Sequence, residues 1–130
     1  MATVTKLFDE AEIAQRVEEL AGEIAGALPP DLMLVGVLKG SFVFMADLIR
    51  ALDRTGQTPS VEFVRLSSYG HGRESAGDIA LIGDVPAGVG GRAVLLVDDI
   101  ADTGRSLDYA RNLLVDAGAR PIWSCALVDK

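Results

Sequence analysis

Residues 94–106 read Val94-Leu95-Leu96-Val97-Asp98-Asp99-Ile100-Ala101-Asp102-Thr103-Gly104-Arg105-Ser106. The branched apolar run at the start is the pattern of a strand buried on both faces, as in parallel sheets. Such a strand delivers Asp98 and Asp99 to its C-terminal end, with Asp102, Thr103 and Gly104 next and a helical pattern beyond. Open α/β sheets bind ligands outside the carboxyl ends of their strands. A loop that opens a helix there directs free backbone N–H groups at whatever lies above it. One short segment therefore offers carboxylates for hydroxyls or a cation, and amides for a phosphate. A sugar phosphate needs that combination.

The rest of the chain supplies a frame for this segment. Ile13, Val17, Leu20 and Ile24 recur at helical spacing, so residues 8–28 read as an amphipathic helix that Pro29-Pro30 stops. Residues 32–38 read as an apolar strand, 41–52 as a helix and 61–66 as a second strand. Residues 69–78, rich in Gly, Ser and charge, read as a flexible loop, and 79–82 as a short strand returning from it. Gly88-Val89-Gly90-Gly91 is a turn, and residues 93–98 form the central strand. Leu107, Ala110, Leu114 and Ala117 mark one face of the next helix, Gly118 suits its C-terminal cap, and residues 121–128 are the last strand. Strands alternating with helices predict an α/β fold, a parallel twisted sheet flanked by helices, in one domain over residues 1–130.

Composition narrows the function classes. The hydrophobic share of 49% suits a sheet covered on both faces. No apolar run reaches the length of a membrane span, and the N-terminus lacks the charged-then-apolar pattern of a signal peptide. The single cysteine, Cys125, has no internal disulfide partner and reads as a small core residue. These features lead us to expect a soluble, cytoplasmic protein with no membrane partner. A net charge of −7 argues against nucleic-acid binding, which needs a basic face. An anionic substrate is compatible with that charge if it arrives with Mg²⁺, which prefers oxygen ligands. No Gly-x4-Gly-Lys-Ser/Thr phosphate loop is present.

Residues 94–106 resemble the phosphoribosyl-pyrophosphate (PRPP) binding motif of the type I phosphoribosyltransferases. Three further segments agree. Leu34-Val35-Gly36-Val37-Leu38-Lys39-Gly40-Ser41-Phe42 resembles the first pyrophosphate loop of the hypoxanthine-guanine subgroup. Ser67-Ser68-Tyr69-Gly70 resembles the start of its mobile catalytic loop, and Ala126-Leu127-Val128-Asp129-Lys130 the strand ending in its purine-reading lysine. The four matches fall in order, and the resemblance spans nearly the whole chain, from Phe8 to Lys130. The chain is similar to the bacterial hypoxanthine (hypoxanthine-guanine) phosphoribosyltransferases.

That resemblance implies the type I phosphoribosyltransferase fold and Mg²⁺-dependent transfer from PRPP to a 6-oxopurine. It assigns Asp98 and Asp99 to the ribose hydroxyls, directly or through Mg²⁺; Asp98 stands where the family often has Glu, one methylene longer. Asp102 takes the place of the general acid/base that handles the proton on purine N7. Thr103, Gly104, Arg105 and Ser106 cradle the 5′-phosphate, with Arg105 and Ser106 replacing the commoner Lys and Thr. Lys39 and Gly40 face pyrophosphate, the Leu38–Lys39 peptide being cis in this subgroup, and Ser68 and Tyr69 meet pyrophosphate when their loop closes. Lys130 donates to purine O6, and the family commonly forms homodimers or homotetramers. Family members continue past the position of Lys130 with a purine-stacking aromatic, an Asp for a second Mg²⁺ and a final strand of the hood. Against that pattern the C-terminal hood is incomplete, and the short chain is expected to bind PRPP yet transfer poorly.

Plainer readings stand beside each assignment. Asp98 and Asp99 can be solvated acids, Asp102 a helix cap, Lys39-Gly40 an ordinary turn, and Lys130 a charged terminus. His71, the one histidine, has no partner motif and reads as exposed and not a metal ligand. The main alternative for the whole chain is a non-catalytic PRPP- or nucleotide-binding, or regulatory, protein on the same fold. A receiver-type signalling domain fits less well: receivers carry an acid pair after their first strand, and here the pair follows the last but one.

Overall fold

The computed structural model describes residues 10–38, 41–68, 79–101 and 105–129. Eight elements follow one another: α1 (Glu10–Ala27), β1 (Met33–Leu38), α2 (Phe42–Arg54), β2 (Ser60–Ser68), β3 (Ile79–Ile82), β4 (Val94–Ala101), α3 (Arg105–Asp116) and β5 (Ile122–Asp129). The strands form one sheet in the order β3-β2-β1-β4-β5. β1 pairs parallel with β2 and β4, and β4 pairs parallel with β5. The α/β class is the expected one. Two details differ. β3 runs antiparallel to β2, so the sheet is mixed. The centre is β1, with β4 beside it.

The apolar runs explain the layering. Met33, Leu34 and Val35 of β1 and Val94 to Val97 of β4 are all buried, as strands covered on both faces must be. Their side chains alternate between two cores. Leu34, Leu95 and Val97 meet Val17, Ala21 and Ile24 of α1 and Met45 and Leu48 of α2. Met33, Val35, Val37, Val94 and Leu96 meet Ala110 and Leu114 of α3 on the other face. Gly36 serves this packing by close approach: a Cβ there would lie 2.9 Å from the Phe63 ring and 3.0 Å from the Met45 methyl. At the N-terminal edge, Arg92 Nη2 donates to Asp31 O at 2.9 Å and to Ser60 Oγ at 3.1 Å, strapping the strand starts together.

Element ends depart from the sequence reading for physical reasons. β2 continues through Ser67 and Ser68, which pair with Ala80 and Ile79 of β3, so the two serines belong to a strand. α3 ends at Asp116, which leaves Ala117 exposed and off the packed face. Its end is a Schellman cap: Ala119 N–H bonds Leu114 O at 3.0 Å and Gly118 N–H bonds Val115 O at 2.9 Å, with Gly118 at φ +94°. Gly118→Ala forces a side chain into the left-handed region and is expected to cost about 1–2 kcal/mol. Urea unfolding measures this, and an unchanged midpoint would refute it.

Candidate functional site

β1, β2, β4 and β5 run parallel, so their C-terminal ends share one edge of the sheet. Each of the four sequence segments singled out above lies at the end of one of these strands. Residues 39–40 follow β1, 69–70 follow β2, 102–104 follow β4 and 130 follows β5. The strand ends that precede these segments, Leu38, Ser68, Ala101 and Asp129, are thereby brought to a common edge by topology alone.

The edge has a centre. α1 and α2 cover one face of the sheet and α3 the other. The connection leaving β1 therefore goes to one face and that leaving β4 to the opposite one, which makes the β1/β4 border a topological switch point, where open α/β sheets form their ligand crevice. The β1–β4 register runs from Met33↔Val94 to Gly36↔Val97, while β4 continues beside β5 as far as Ala101↔Asp129. Asp98 is the first residue past that last β1 partner. It shares the α3-side face with Val94 and Leu96, is 9% exposed, and is engaged within the fold. A carboxylate so covered is costly without partners.

Two helix N-termini reach the same edge. α2 starts at Phe42 after β1, and α3 starts at Arg105 after β4. α2 has no acidic residue in its first turn; α3 has Asp108. Unpaired first-turn N–H groups and the positive end of each dipole suit anionic oxygens. Covered carboxylate and helix N-termini together can bind a polyhydroxylated, phosphorylated ligand.

Lys39, Gly40, Tyr69, Asp102, Thr103, Gly104 and Lys130 lie outside the described residues, as do His71 and the Leu38–Lys39 peptide. Ser68, Asp99, Arg105 and Ser106 are placed by their backbone, Ser68 and Asp99 in strands and Arg105 and Ser106 at the start of α3. One residue at this edge was not singled out from sequence: Ser41, fully buried between β1 and α2. The sequence reading makes it the first residue of the 41–52 helix, and its burial is not legible from that spacing.

Cys125 lies on β5 against the α1/α2 core and outside this arrangement. Burial pushes its thiol from 9.0 up to about 12. At pH 8 the thiolate is then about a thousandfold scarcer than in an exposed thiol, so slow modification of native protein and rapid modification after unfolding are expected. Because the folded chain holds this proton more tightly, the thiol's contribution to stability is complete below pH 9.0 and is lost as pH rises toward about 12. Rapid native-state labelling at pH 8 would contradict the assignment.

Comparison with known proteins gives a consistent result. A family model described as "Phosphoribosyl transferase domain" matches residues 3–130. The hypoxanthine-guanine phosphoribosyltransferase of Aquifex aeolicus is 40% identical over 126 residues, covering 95% of this chain and 69% of the relative. The hypoxanthine phosphoribosyltransferase of Escherichia coli is 37% identical, covering 98% of this chain and 72% of the relative. Among solved structures, the Trypanosoma cruzi hypoxanthine phosphoribosyltransferase in complex with its product IMP superposes with a TM-score of 0.82 at 35% identity, over 95% of this chain and 70% of that one.

Proposed function

The chain belongs to the phosphoribosyltransferase family, in its hypoxanthine-guanine branch, and from that premise we propose how its sheet edge carries the chemistry. It is a purine salvage phosphoribosyltransferase, joining hypoxanthine or guanine to the phosphoribosyl group of PRPP to give IMP or GMP and pyrophosphate. One observation carries the site reading. Four parallel strands end on one edge, and each is followed in sequence by a segment to which the family resemblance assigns a part of the substrates.

In this reading Asp98 and Asp99 hold the ribose hydroxyls. The α3 N-terminus, with Thr103, Gly104, Arg105 and Ser106, holds the 5′-phosphate. Lys39 and Gly40, with Ser68 and Tyr69, hold the pyrophosphate, and Lys130 reads O6 of the base. The bond from C1′ to pyrophosphate oxygen breaks, the bond from C1′ to the purine ring nitrogen forms, and the electron pair leaves with pyrophosphate. Asp102 accepts the proton that leaves N7. Positioning both reactants and holding the departing charge supply most of the acceleration.

Asp98 is compatible with Mg²⁺. Its carboxylate oxygens are hard donors, and Mg²⁺ typically takes only one or two protein carboxylates plus substrate phosphates. Asp98 and Asp99 would hold it, and when bound it would neutralise charge on the pyrophosphate leaving group. Calorimetric PRPP titration is expected to lose its signal when Mg²⁺ is chelated. Binding unaffected by chelation would remove the metal from the proposal, and no binding in either condition would remove the PRPP site.

No described helix is long and apolar enough to cross a membrane. A cytoplasmic homodimer or homotetramer completes the proposal, and light scattering on the purified protein reads the assembly.

A further inference from the structure

A cationic cavity lies at the C-terminal end of α3, away from the edge where the chemistry is proposed. It measures about 390 Å³ and is lined by Arg111, Val115, Gly118, Ala119, Arg120 and Ile122. The chain carries 19 Asp and Glu against 12 Lys and Arg, yet this lining holds two arginines and no carboxylate. Arg111 Nη2 donates to Ile122 O at 3.2 Å, which ties the guanidinium to the start of β5 and leaves its other N–H groups to donate elsewhere. Arg120 is exposed, and its backbone N–H donates to Arg92 O at 2.8 Å. Elsewhere on the surface Arg50 pairs with Asp47 and Arg54 with Glu18. Among the described residues neither Arg111 nor Arg120 forms an ion pair.

The C-terminus of α3 opposes an anion here with about half a negative charge. Two guanidiniums outweigh it, and the Schellman bonds already occupy the Leu114 and Val115 carbonyls. Guanidinium groups match phosphate oxygens in geometry as well as charge, and a tethered one loses less freedom on binding. A phosphate monoester carries about −1.5 to −2 at neutral pH and so balances both arginines, whereas a carboxylate balances one. Val115, 53% exposed, and Ile122 add apolar surface beside the charges. We propose that this cavity is a second anion site, which takes a small phosphate monoester with an apolar body. It stands one helix length, about 18 Å for the 12 residues of α3, from the N-terminus where the 5′-phosphate is proposed to sit. The two sites share α3 but no residue.

Phenyl phosphate is the probe, titrated into the full chain at constant ionic strength and followed residue by residue through backbone amide NMR shifts. Saturable shifts are expected at Gly118, Ala119, Arg120 and Ile122. Benzoate, with the same ring and a single charge, should bind there more weakly. Arg120→Gln removes a charge that holds nothing else in the fold, so the amide spectrum without ligand should stay the same away from position 120. Phenyl phosphate affinity read at these amides should fall about tenfold, the scale of one charge-assisted hydrogen bond. Shifts confined to the start of α3 would place the probe at the proposed 5′-phosphate site alone and overturn the second site. Shifts at residues 118–122 that do not saturate, an equal affinity for benzoate, or an unchanged affinity in Arg120→Gln would each overturn it as well. Loss of the folded spectrum in Arg120→Gln would show that the arginine is structural, and would also count against the proposal.

Discussion

Asp102→Asn is expected to lower turnover by about 10²–10⁴-fold, the usual worth of a general acid–base group, with PRPP affinity nearly unchanged. The amide has the shape of the carboxylate but takes no proton. The rival role for Asp102 is capping, and the substitution separates the two because Asn caps as well as Asp. Steady-state IMP formation and PRPP calorimetry on the same preparations decide it. A fall in turnover of less than about threefold in a folded variant is far below the usual contribution and would remove the general-base role.

Leu96→Ala should give the largest change in stability, a loss of about 2–5 kcal/mol, as is usual when a buried Leu leaves a cavity. Leu96 is fully buried on the α3-side face with Val94, Ala110 and Leu114. A domain's whole stability is about 5–15 kcal/mol, so this one truncation removes a large fraction of it. Trp123, the single tryptophan, lies on β5 beside Leu95 of β4 and reports unfolding in urea directly. A loss under about 1 kcal/mol would mean that the surroundings collapse into the gap and that the two-face packing of β4 is overstated.

The sequence reading and the structure agree where a residue's environment is written in its neighbours. The apolar runs of β1 and β4 are buried on both faces, as such runs demand, and β3 occupies residues 79–82 as expected. They part where a partner is remote in sequence. β2 extends to Ser68 because β3 is there to pair with it, and nothing in Ser67-Ser68 announces that partner. β1 is central because its neighbours β2 and β4 lie on either side, and strand order is set by crossovers and not by hydropathy. The covered position of Asp98 after an apolar run was legible, whereas the continuation of β4 past it to Ala101, beside β5, was not. The burial of Ser41 was not legible either, because the apolar spacing that marks the 41–52 helix does not say what its first residue packs against.

The register of β4 is also a ruler. The pairing with β1 from Val94 to Val97 sets how far along the strand axis Asp98 and Asp99 stand, and the alternation of side chains sets which core each apolar residue enters. Deleting one residue within that run would draw the acids back by about 3.3 Å and also turn the strand's faces over, sending α3-side residues toward α1 and α2. Deleting two would restore the faces and double the retreat. The first change confounds folding with reach. The second keeps the faces matched and shortens the reach, so this strand can be redesigned in length only in even steps.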